Sequence, residues 1–239
     1  MIWPTQWLKT ERIRVDAGLG FKALHLSDLH VEKIRVSAEK VKRLIELEKP
    51  DYLFITGDFT QQSKALSKAR DYMRVIGEAG VRTYAVLGNH DHRLPASDLK
   101  RLNDLLTKEG VTVLNNRCVD LGEFQLVGID DLGSGKSNIS KAYRGVDPAK
   151  PVIVLTHNPN LVLKLRKRYD LLLAGHFHGM QFHIPWLFRF VKKGDLPAKG
   201  IYKGLHSGEY GRYYISKGIS QAGPNARFLV RSEAAILEL

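Results

Sequence analysis

The stretch Tyr52-Leu53-Phe54-Ile55-Thr56-Gly57-Asp58 is an apolar run that ends in a glycine and a carboxylate. A short run rich in aromatic and β-branched residues, closed by a turn residue, predicts a buried strand over Tyr52–Thr56. In open α/β sheets, ligands gather at the carboxyl ends of the strands. The stretch therefore predicts a strand of an α/β sheet that carries a metal-binding side chain at its end.

Similar polar clusters recur along the chain, and four of the five follow an apolar run. The other four are Asp28-Leu29-His30, Gly88-Asn89-His90-Asp91, Thr156-His157-Asn158 and Gly175-His176-Phe177-His178. Any one of them is weak evidence, because a lone histidine is more often structural and an asparagine often forms a turn or cap. Five in order would require several independent coincidences. Together they predict a metal-dependent active site.

The first half of the chain alternates between strand and helix patterns. Strands are predicted at 23–27, 52–56 and 82–87, and helices at 37–48, 63–78 and 95–109. Ser37 is a suitable N-cap for the first helix, and Pro50 ends it. This order predicts a mostly parallel sheet with helices outside.

The second half is richer in strands. We predict them at 111–114, 117–121, 124–129, 152–155, 171–174, 213–215 and 235–239. The sequence contains no internal repeat and no low-complexity linker. One domain over residues 1–239, with two sheets, is therefore expected.

Composition narrows the class of protein. With 44% hydrophobic and 26% charged residues, the chain is typical of globular domains. No apolar run reaches the ~18–20 residues of a spanning helix, and the first residues do not resemble a signal peptide. Cys118 is the only cysteine, which excludes an intrachain disulfide and is compatible with a reducing compartment. We therefore expect a cytoplasmic protein, with peripheral membrane contact left open.

The net charge of +12 has two interpretations. It is either a general solubility charge or a field that attracts phosphates, nucleic acids or anionic lipids. Because the excess is spread along much of the chain, both stay open.

The clusters contain more ligands than one tetrahedral ion takes. They provide two carboxylates, one amide and four imidazoles, namely Asp28, Asp58, Asn89, His30, His157, His176 and His178. Such a set suits two ions that share a carboxylate, and mixed N/O ligands without thiolate fit Mn, Fe, Zn, Co or Ni. Two metals about 3.5–4 Å apart form a clamp for displacement at phosphorus and lower the pKa of bound water.

The order, spacing and identity of these motifs resemble the calcineurin-like metallophosphoesterase superfamily. The resemblance implies an α/β fold, a four-layer α/β/β/α sandwich with two mixed central sheets. It also implies two divalent ions, with Mn preferred, and attack on phosphorus by a metal-bound hydroxide. One ion would be held by Asp28, His30, Asp58 and His178, and the other by Asp58, Asn89, His157 and His176. His90 would contact the phosphate and stabilise or protonate the leaving oxygen, with Asp91 as the partner that orients it.

Within the superfamily, the chain looks like the bacterial branch of membrane-associated phosphodiesterases and UDP-2,3-diacylglucosamine pyrophosphatases. Ser27-Asp28-Leu29-His30 and Pro224-x-x-Arg227-Phe228 carry this likeness. Gly179-Met180-Gln181 departs from the Gly-Gly-Gln usual in that branch. The apolar and basic segment 185–193 is either a flap that meets an acyl chain or bilayer, or a loop over the core. His206 and Arg227 are further candidates for contact with a substrate phosphate.

The leading hypothesis is a dinuclear metal-dependent phosphohydrolase that cleaves a phosphodiester or pyrophosphate bond in a lipid-linked or UDP-sugar-lipid substrate. A nuclease or nucleotide phosphodiesterase is the alternative enzyme, although no appended nucleic-acid module is recognisable. A non-catalytic scaffold that retains the fold is the alternative of a different class. Because all the ligands are present, the scaffold is disfavoured.

Overall fold

The computed structural model describes residues 3–181, 194–223 and 225–239, which form two six-stranded sheets with helices packed on them. Strand bounds in these ranges are β1 (Leu8–Arg14), β2 (Lys22–Leu26), β3 (Tyr52–Thr56), β4 (Arg82–Val86), β5 (Val111–Val113), β6 (Arg117–Asp120), β7 (Gln125–Gly128), β8 (Val152–Leu155), β9 (Leu171–Ala174), β10 (Gly204–Ser207), β11 (Arg212–Ile215) and β12 (Ser232–Glu238). Helix bounds are α1 (Trp3–Gln6), α2 (Ala38–Glu48), α3 (Leu66–Gly77), α4 (Ala96–Lys108), α5 (Ile139–Ala142) and α6 (Asp195–Ala198). Short 3₁₀ turns cover Ser63–Ala65, Asp91–Arg93, Pro159–Leu163 and His178–Met180.

Both sheets are mixed. The first has the order β1-β12-β2-β3-β4-β5, in which β2 to β5 run parallel and β12 is antiparallel to β2. The second has the order β10-β11-β9-β8-β7-β6, with parallel strands at its centre and an antiparallel strand at each edge. The parallel strands arise from the alternation of strands and connecting segments along the chain.

The packing of β3 shows how the layers are built. Leu53 and Ile55 lie in the core between the first sheet and helices α2, α3 and α4, whereas Tyr52 and Phe54 lie in the core between the sheets. A third core covers the outer face of the second sheet. A strand buried on both faces needs a continuous apolar run rather than an alternating one. The expected α/β/β/α sandwich is confirmed.

Sequence prediction is most accurate for the buried strands. The bounds of β3, β8 and β9 are those predicted, and Ser37 Oγ caps α2 by accepting a hydrogen bond from Lys40 N at 3.3 Å. The sequence pattern does not predict strands β1 and β10. Both are edge strands whose side chains are half-buried or exposed, so they lack a buried apolar run.

Within residues 3–181, 194–223 and 225–239, no helix combines the length and apolar character that crossing a bilayer requires. Segment 185–193, expected to be a flap or a covering loop, lies outside the described residues. The prediction of one domain over 1–239 stays a prediction.

Candidate metal centre

The polar clusters lie where the parallel strands of both sheets end. Asp28 and Asp58 follow β2 and β3 of the first sheet, while His157 and His176 follow β8 and β9 of the second. Backbone bonds join these loops within each sheet, from Asp28 N to Gly57 O at 3.1 Å and from Gly175 N to His157 O at 3.1 Å. The His157 ring reaches across to the first sheet through Thr56 O. Each sheet therefore contributes ligands to one site.

Four buried residues form a compact set of potential ligands, and each offers one atom within 4.8 Å of the others. They are Asp28, His30, Asp58 and His178. His178 Nε2 lies 3.2 Å from Asp28 Oδ1, and His30 Nε2 lies 3.4 Å from Asp58 Oδ2. These are the four residues that the family resemblance assigns to one ion.

The remaining predicted ligands gather around His157. Its Nε2 lies 3.2 Å from Asp58 Oδ2, 3.2 Å from Asn89 Oδ1 and 3.1 Å from His176 Nδ1. Asp58 Oδ2 thus faces one imidazole from each set. The structure brings all seven predicted ligands together, with the Asp58 carboxylate between the two groups.

The hydrogen bonds at the outer side of two imidazoles fit metal ligation. His157 Nδ1 lies 2.8 Å from Thr56 O, and His178 Nδ1 lies 3.0 Å from Ser220 O. A carbonyl can only accept, so each Nδ1 carries the proton and a neutral ring turns its Nε2 lone pair toward the carboxylates. Lone pairs facing each other at this distance need a proton or a cation between them. The donor set therefore fits divalent cations.

The electrostatics of the cluster favour positive charge. Burial raises the pKa of Asp58, but the neighbouring His157 and His30 outweigh this and hold it well below its usual range. Burial lowers the pKa of both histidines, yet the carboxylates raise that of His30 to about 9 and that of His157 to about 10. In the metal-free protein, protons therefore supply the charge, and a bound cation would replace them.

The backbone is strained at the ligands. Five of the seven have φ in the left-handed region, namely Asp28 at 56°, His30 at 38°, Asp58 at 56°, His176 at 71° and His178 at 53°. For residues other than glycine, such conformations cost about 1–3 kcal/mol each and persist where the surrounding structure enforces them. Met180, which stands where the Gly-Gly-Gln motif of the bacterial branch has its second glycine, also lies in the left-handed region, with φ of 60°.

Close approach of the loops depends on glycine. A Cβ at Gly175 would overlap Ser27 Oγ and Asp28 Oδ2, and one at Gly88 would overlap the Asp58 carboxylate. These glycines allow loops from different strands to pack directly against the ligands.

We expect Gly175→Ala to lower the free energy of unfolding by about 1–3 kcal/mol, because the added methyl overpacks the site. Metal affinity should fall with it, since the Asp28 carboxylate must move. Urea unfolding and Mn²⁺ titration measure the two effects. Gly208→Ala is the matched control, because there the nearest atom to a Cβ is 3.4 Å away. Equal effects of the two substitutions would contradict the prediction.

His90 lies beside the ligands rather than among them. Its backbone N donates to Asp58 Oδ1 at 2.8 Å, and its ring centroid is 4.9 Å from that of His30. Burial lowers the pKa of His90 to about 4, despite the opposing charge of Asp58. Arg93 Nη1 lies 3.3 Å from His90 Nδ1, and a guanidinium can only donate. The proton of the neutral ring is therefore on Nε2.

Asp91 is buried and accepts two backbone hydrogen bonds. Its Oδ2 accepts from Gly88 N at 2.9 Å and its Oδ1 from Thr60 N at 3.0 Å. Burial raises the pKa of this carboxyl to about 7. Both oxygens accept hydrogen bonds from the backbone of the ligand loops, and the role of Asp91 in orienting the His90 ring stays a prediction.

The two candidate substrate contacts, His206 and Arg227, both bond to backbone carbonyls. His206 pairs with Tyr213, two residues before the end of β11 at Ile215, and its Nε2 lies 2.8 Å from Lys203 O. Arg227 is fully buried, and its Nη atoms donate to backbone carbonyls. Neither position supports contact with a substrate phosphate.

Several supporting groups are not predicted by the sequence. Ser27 Oγ donates to Asp28 Oδ2 at 2.7 Å and lies 3.0 Å from Thr56 O. His92 pairs with Asp130 in the turn after His90, at 2.6 Å between Nε2 and Oδ1. Ser27 and His92 stand next to the predicted motifs, so their positions in the sequence could have indicated a supporting role. Ser220 acts through its backbone carbonyl, which its residue type does not indicate.

The pair of His92 and Asp130 is nearly buried and should make stability depend on pH. Burial lowers the pKa of His92, but Asp130 outweighs it and raises the pKa above 6.5. The contribution is complete below the unfolded pKa and is lost as pH rises through the higher folded value. A hydrogen bond to a charged group contributes about 1.5–3 kcal/mol.

His92→Gln should therefore destabilise the metal-free protein more at about pH 6 than at about pH 9. Urea unfolding of both proteins with a chelator present measures this difference. Asp130→Asn should remove the same pH-dependent part. A His92→Gln effect that is independent of pH would contradict the pairing.

Comparisons with known proteins agree with this geometry. A family model described as calcineurin-like phosphoesterase matches residues 21–180. The chain is 36% identical to YkoQ of Bacillus subtilis strain 168, described as an uncharacterized metallophosphoesterase, over 98% of this chain and 92% of that protein. It is 29% identical to the phosphodiesterase YaeI of Escherichia coli K12, over 98% and 88% of the two chains.

Two further matches bear on substrate and fold. The chain is 26% identical to LpxG of Chlamydia muridarum, named a UDP-2,3-diacylglucosamine pyrophosphatase, over 70% of this chain and 66% of that protein. The crystal structure of TT1561 of Thermus thermophilus aligns with a TM-score of 0.56 at 14% identity, covering 83% of this chain and 90% of that one. The latter supports the fold alone.

Proposed function

Because the chain belongs to the calcineurin-like phosphoesterase family, it is a hydrolase of phosphate ester bonds, and we propose that it cleaves a phosphodiester or pyrophosphate bond with two divalent metal ions. The observation that carries the proposal is the position of Asp58 Oδ2, 3.4 Å from His30 Nε2 and 3.2 Å from His157 Nε2. One buried carboxylate oxygen thus faces two groups of ligands. Because those groups come from both sheets, we take residues 1–239 as one catalytic unit.

In this proposal the two ligand groups each hold one ion. Asp28, His30 and His178 hold the first, Asn89, His157 and His176 hold the second, and Asp58 is shared. Ions bound there would lower the pKa of bound water and neutralise the phosphoryl oxygens. Manganese is the first ion to test. Fe, Zn, Co and Ni follow, because these donors also accept them.

His90 supplies a hydrogen bond in the proposed reaction. Asn89, His90 and His176 are only half-buried, so they line the side of the cluster that a substrate can approach. Arg93 occupies the Nδ1 lone pair of His90, which leaves Nε2–H as a donor. Donation to a phosphoryl or leaving oxygen would stabilise the charge that develops there. This favours stabilisation of the leaving oxygen over its protonation.

Exposed apolar side chains support a lipid-linked substrate. Phe228 is 40% exposed and Leu229 is 72% exposed. Phe228 N donates to Gln181 O at 2.9 Å, so this apolar pair is attached to the loop that carries His178. The similarity to LpxG points to the same class of substrate. We therefore propose that acyl chains, or a membrane that presents them, contact this side of the site.

Hydrolysis of an aryl phosphodiester with Mn²⁺ tests the reaction class. Activity should be lost on chelation and return when Mn²⁺ is added. If no divalent metal among Mn, Fe, Zn, Co and Ni restores turnover, the dinuclear mechanism is wrong and a non-catalytic scaffold gains support.

A panel of substrates tests the class of substrate. UDP-2,3-diacylglucosamine in mixed micelles should be cleaved with a higher kcat/KM than the same compound without its acyl chains or a short single-stranded oligonucleotide. The paired substitution Phe228→Ser and Leu229→Ser should reduce only the advantage of the acylated compound. Preference for the oligonucleotide would support a nuclease instead.

A further inference from the structure

Arg227 has the largest fully buried side chain among the described residues. Its Nη1 donates to Arg231 O at 3.0 Å. Its Nη2 lies 2.8 Å from Lys217 O and 3.0 Å from Gly218 O and also contacts Ser220 O, so its two hydrogens are shared among three carbonyl oxygens. One guanidinium therefore gathers the carbonyl groups of a single short segment, residues 217–220.

Residues 217–220 form the wall of the metal centre on the side of Asp28. Ile219 N donates to Ser27 O at 2.9 Å, and Ser220 N donates to Asp28 O at 3.1 Å. A Cβ at Gly218 would lie 2.9 Å from Asp28 Cβ, so backbone and ligand are in direct contact. The Ser220 carbonyl accepts the Nδ1 proton of His178 at 3.0 Å. Arg227 and His178 thus share one acceptor.

A buried guanidinium without a carboxylate partner is costly, because it loses its hydration. Among the residues that the structure describes, no carboxylate forms an ion pair with Arg227, and its Nε is buried without a partner. Burial lowers its pKa to about 10, against the attraction of Asp28 and Glu233, so the group stays charged near neutral pH. The backbone carbonyls around Arg227 stabilise its charge by accepting its hydrogen bonds, and the guanidinium in turn fixes the orientation of these carbonyls.

We propose that Arg227 is a positioning residue that orients the His178 imidazole through the Ser220 carbonyl. This rests on the proposed function, in which His178 is a ligand. With Ser220 O fixed, the Nδ1 proton of His178 keeps that acceptor and its Nε2 faces Asp28 Oδ1 at 3.2 Å. Without Arg227 the segment can rotate, and the imidazole loses its defined orientation. The effect should be confined to the ion held by Asp28, His30, Asp58 and His178.

Binding of Mn²⁺ alone, followed by calorimetry in the absence of substrate, tests this. The wild-type chain should bind two equivalents. Arg227→Met should weaken one equivalent by about 10–100-fold, the usual cost of removing a group that orients a ligand, and leave the other unchanged. In a His178→Ala background, Arg227→Met should cause no further loss, because the two residues act in series.

Two further variants separate positioning from general stability. Leu106→Ala removes a fully buried side chain of α4 and should lower the urea midpoint of unfolding without changing either Mn²⁺ affinity. Arg227→Lys keeps the charge but cannot span several carbonyls, so the same equivalent should weaken by a smaller factor. It also serves if Arg227→Met does not fold.

The possible results are distinct. Unchanged affinities in folded Arg227 variants, equal weakening of both equivalents, or the same change in Leu106→Ala would each overturn the inference. A wild-type chain that binds no Mn²⁺ would instead overturn the proposed function on which it rests.

Discussion

Replacing Asp58 by asparagine is expected to lower kcat/KM by at least about 10³-fold, which corresponds to about 4 kcal/mol of transition-state stabilisation. The carboxylate is buried, and its Oδ2 faces both His30 and His157. An amide retains an oxygen that can accept from His90 N, so the loop should keep its shape. The negative charge that both cations would share is lost, however, and both Mn²⁺ affinities should fall.

Turnover of the aryl phosphodiester and metal content by mass spectrometry measure the Asp58→Asn effect. Circular dichroism verifies that the variant is folded. Asp120→Asn is the control, because this carboxylate is exposed and pairs with Lys150 at the surface. Loss of only one equivalent of metal would show that Asp58 is not shared. Turnover within tenfold of wild type would rule out its proposed role.

Replacing His90 by alanine is expected to reduce turnover by roughly 10²-fold or more while leaving metal content unchanged. The contact between His90 and Asp58 uses the backbone N–H, which the substitution retains. Only the ring is removed, and with it the Nε2–H that is proposed to donate to an oxygen of the substrate. The defect should therefore appear in kcat and not in Mn²⁺ affinity.

Comparison with Asn89→Ala sharpens the His90 test. Asn89 Oδ1 lies 3.2 Å from His157 Nε2, so its loss should release one equivalent of metal. Two neighbouring residues should thus give opposite patterns, lost metal for Asn89 and lost turnover alone for His90. Wild-type turnover in His90→Ala, or a lost metal equivalent, would contradict the assignment.

The parts of the fold that the sequence predicts well are those buried on both sides. Strands β3, β8 and β9 have a continuous apolar run, and each is followed by a predicted ligand, so pattern and chemistry agree. Strand β1, Leu-Lys-Thr-Glu-Arg-Ile-Arg, is half-exposed and gives no comparable signal.

Roles within the site are less accessible to sequence. The ligand types can be identified because only certain side chains bind metals. The part played by Asp91 depends on two backbone donors, Gly88 N and Thr60 N, that no residue type reveals. Arginine commonly binds phosphate, so the residue type favours a phosphate contact for Arg227. Its burial, which is a property of the folded chain, argues against that contact.

The position of β12 has a consequence for how the protein folds. This strand lies between β1 and β2, and its Glu238 bonds to Arg14, 224 residues away along the chain. Contacts of such high sequence separation form slowly, since a long loop must close first. During synthesis, the place between β1 and β2 in the first sheet stays unfilled until β12 has left the ribosome. The segment 217–220, which precedes β12, can complete the wall beside Asp28 only at that late stage. We therefore expect catalytic competence to appear only after β12 has been synthesised.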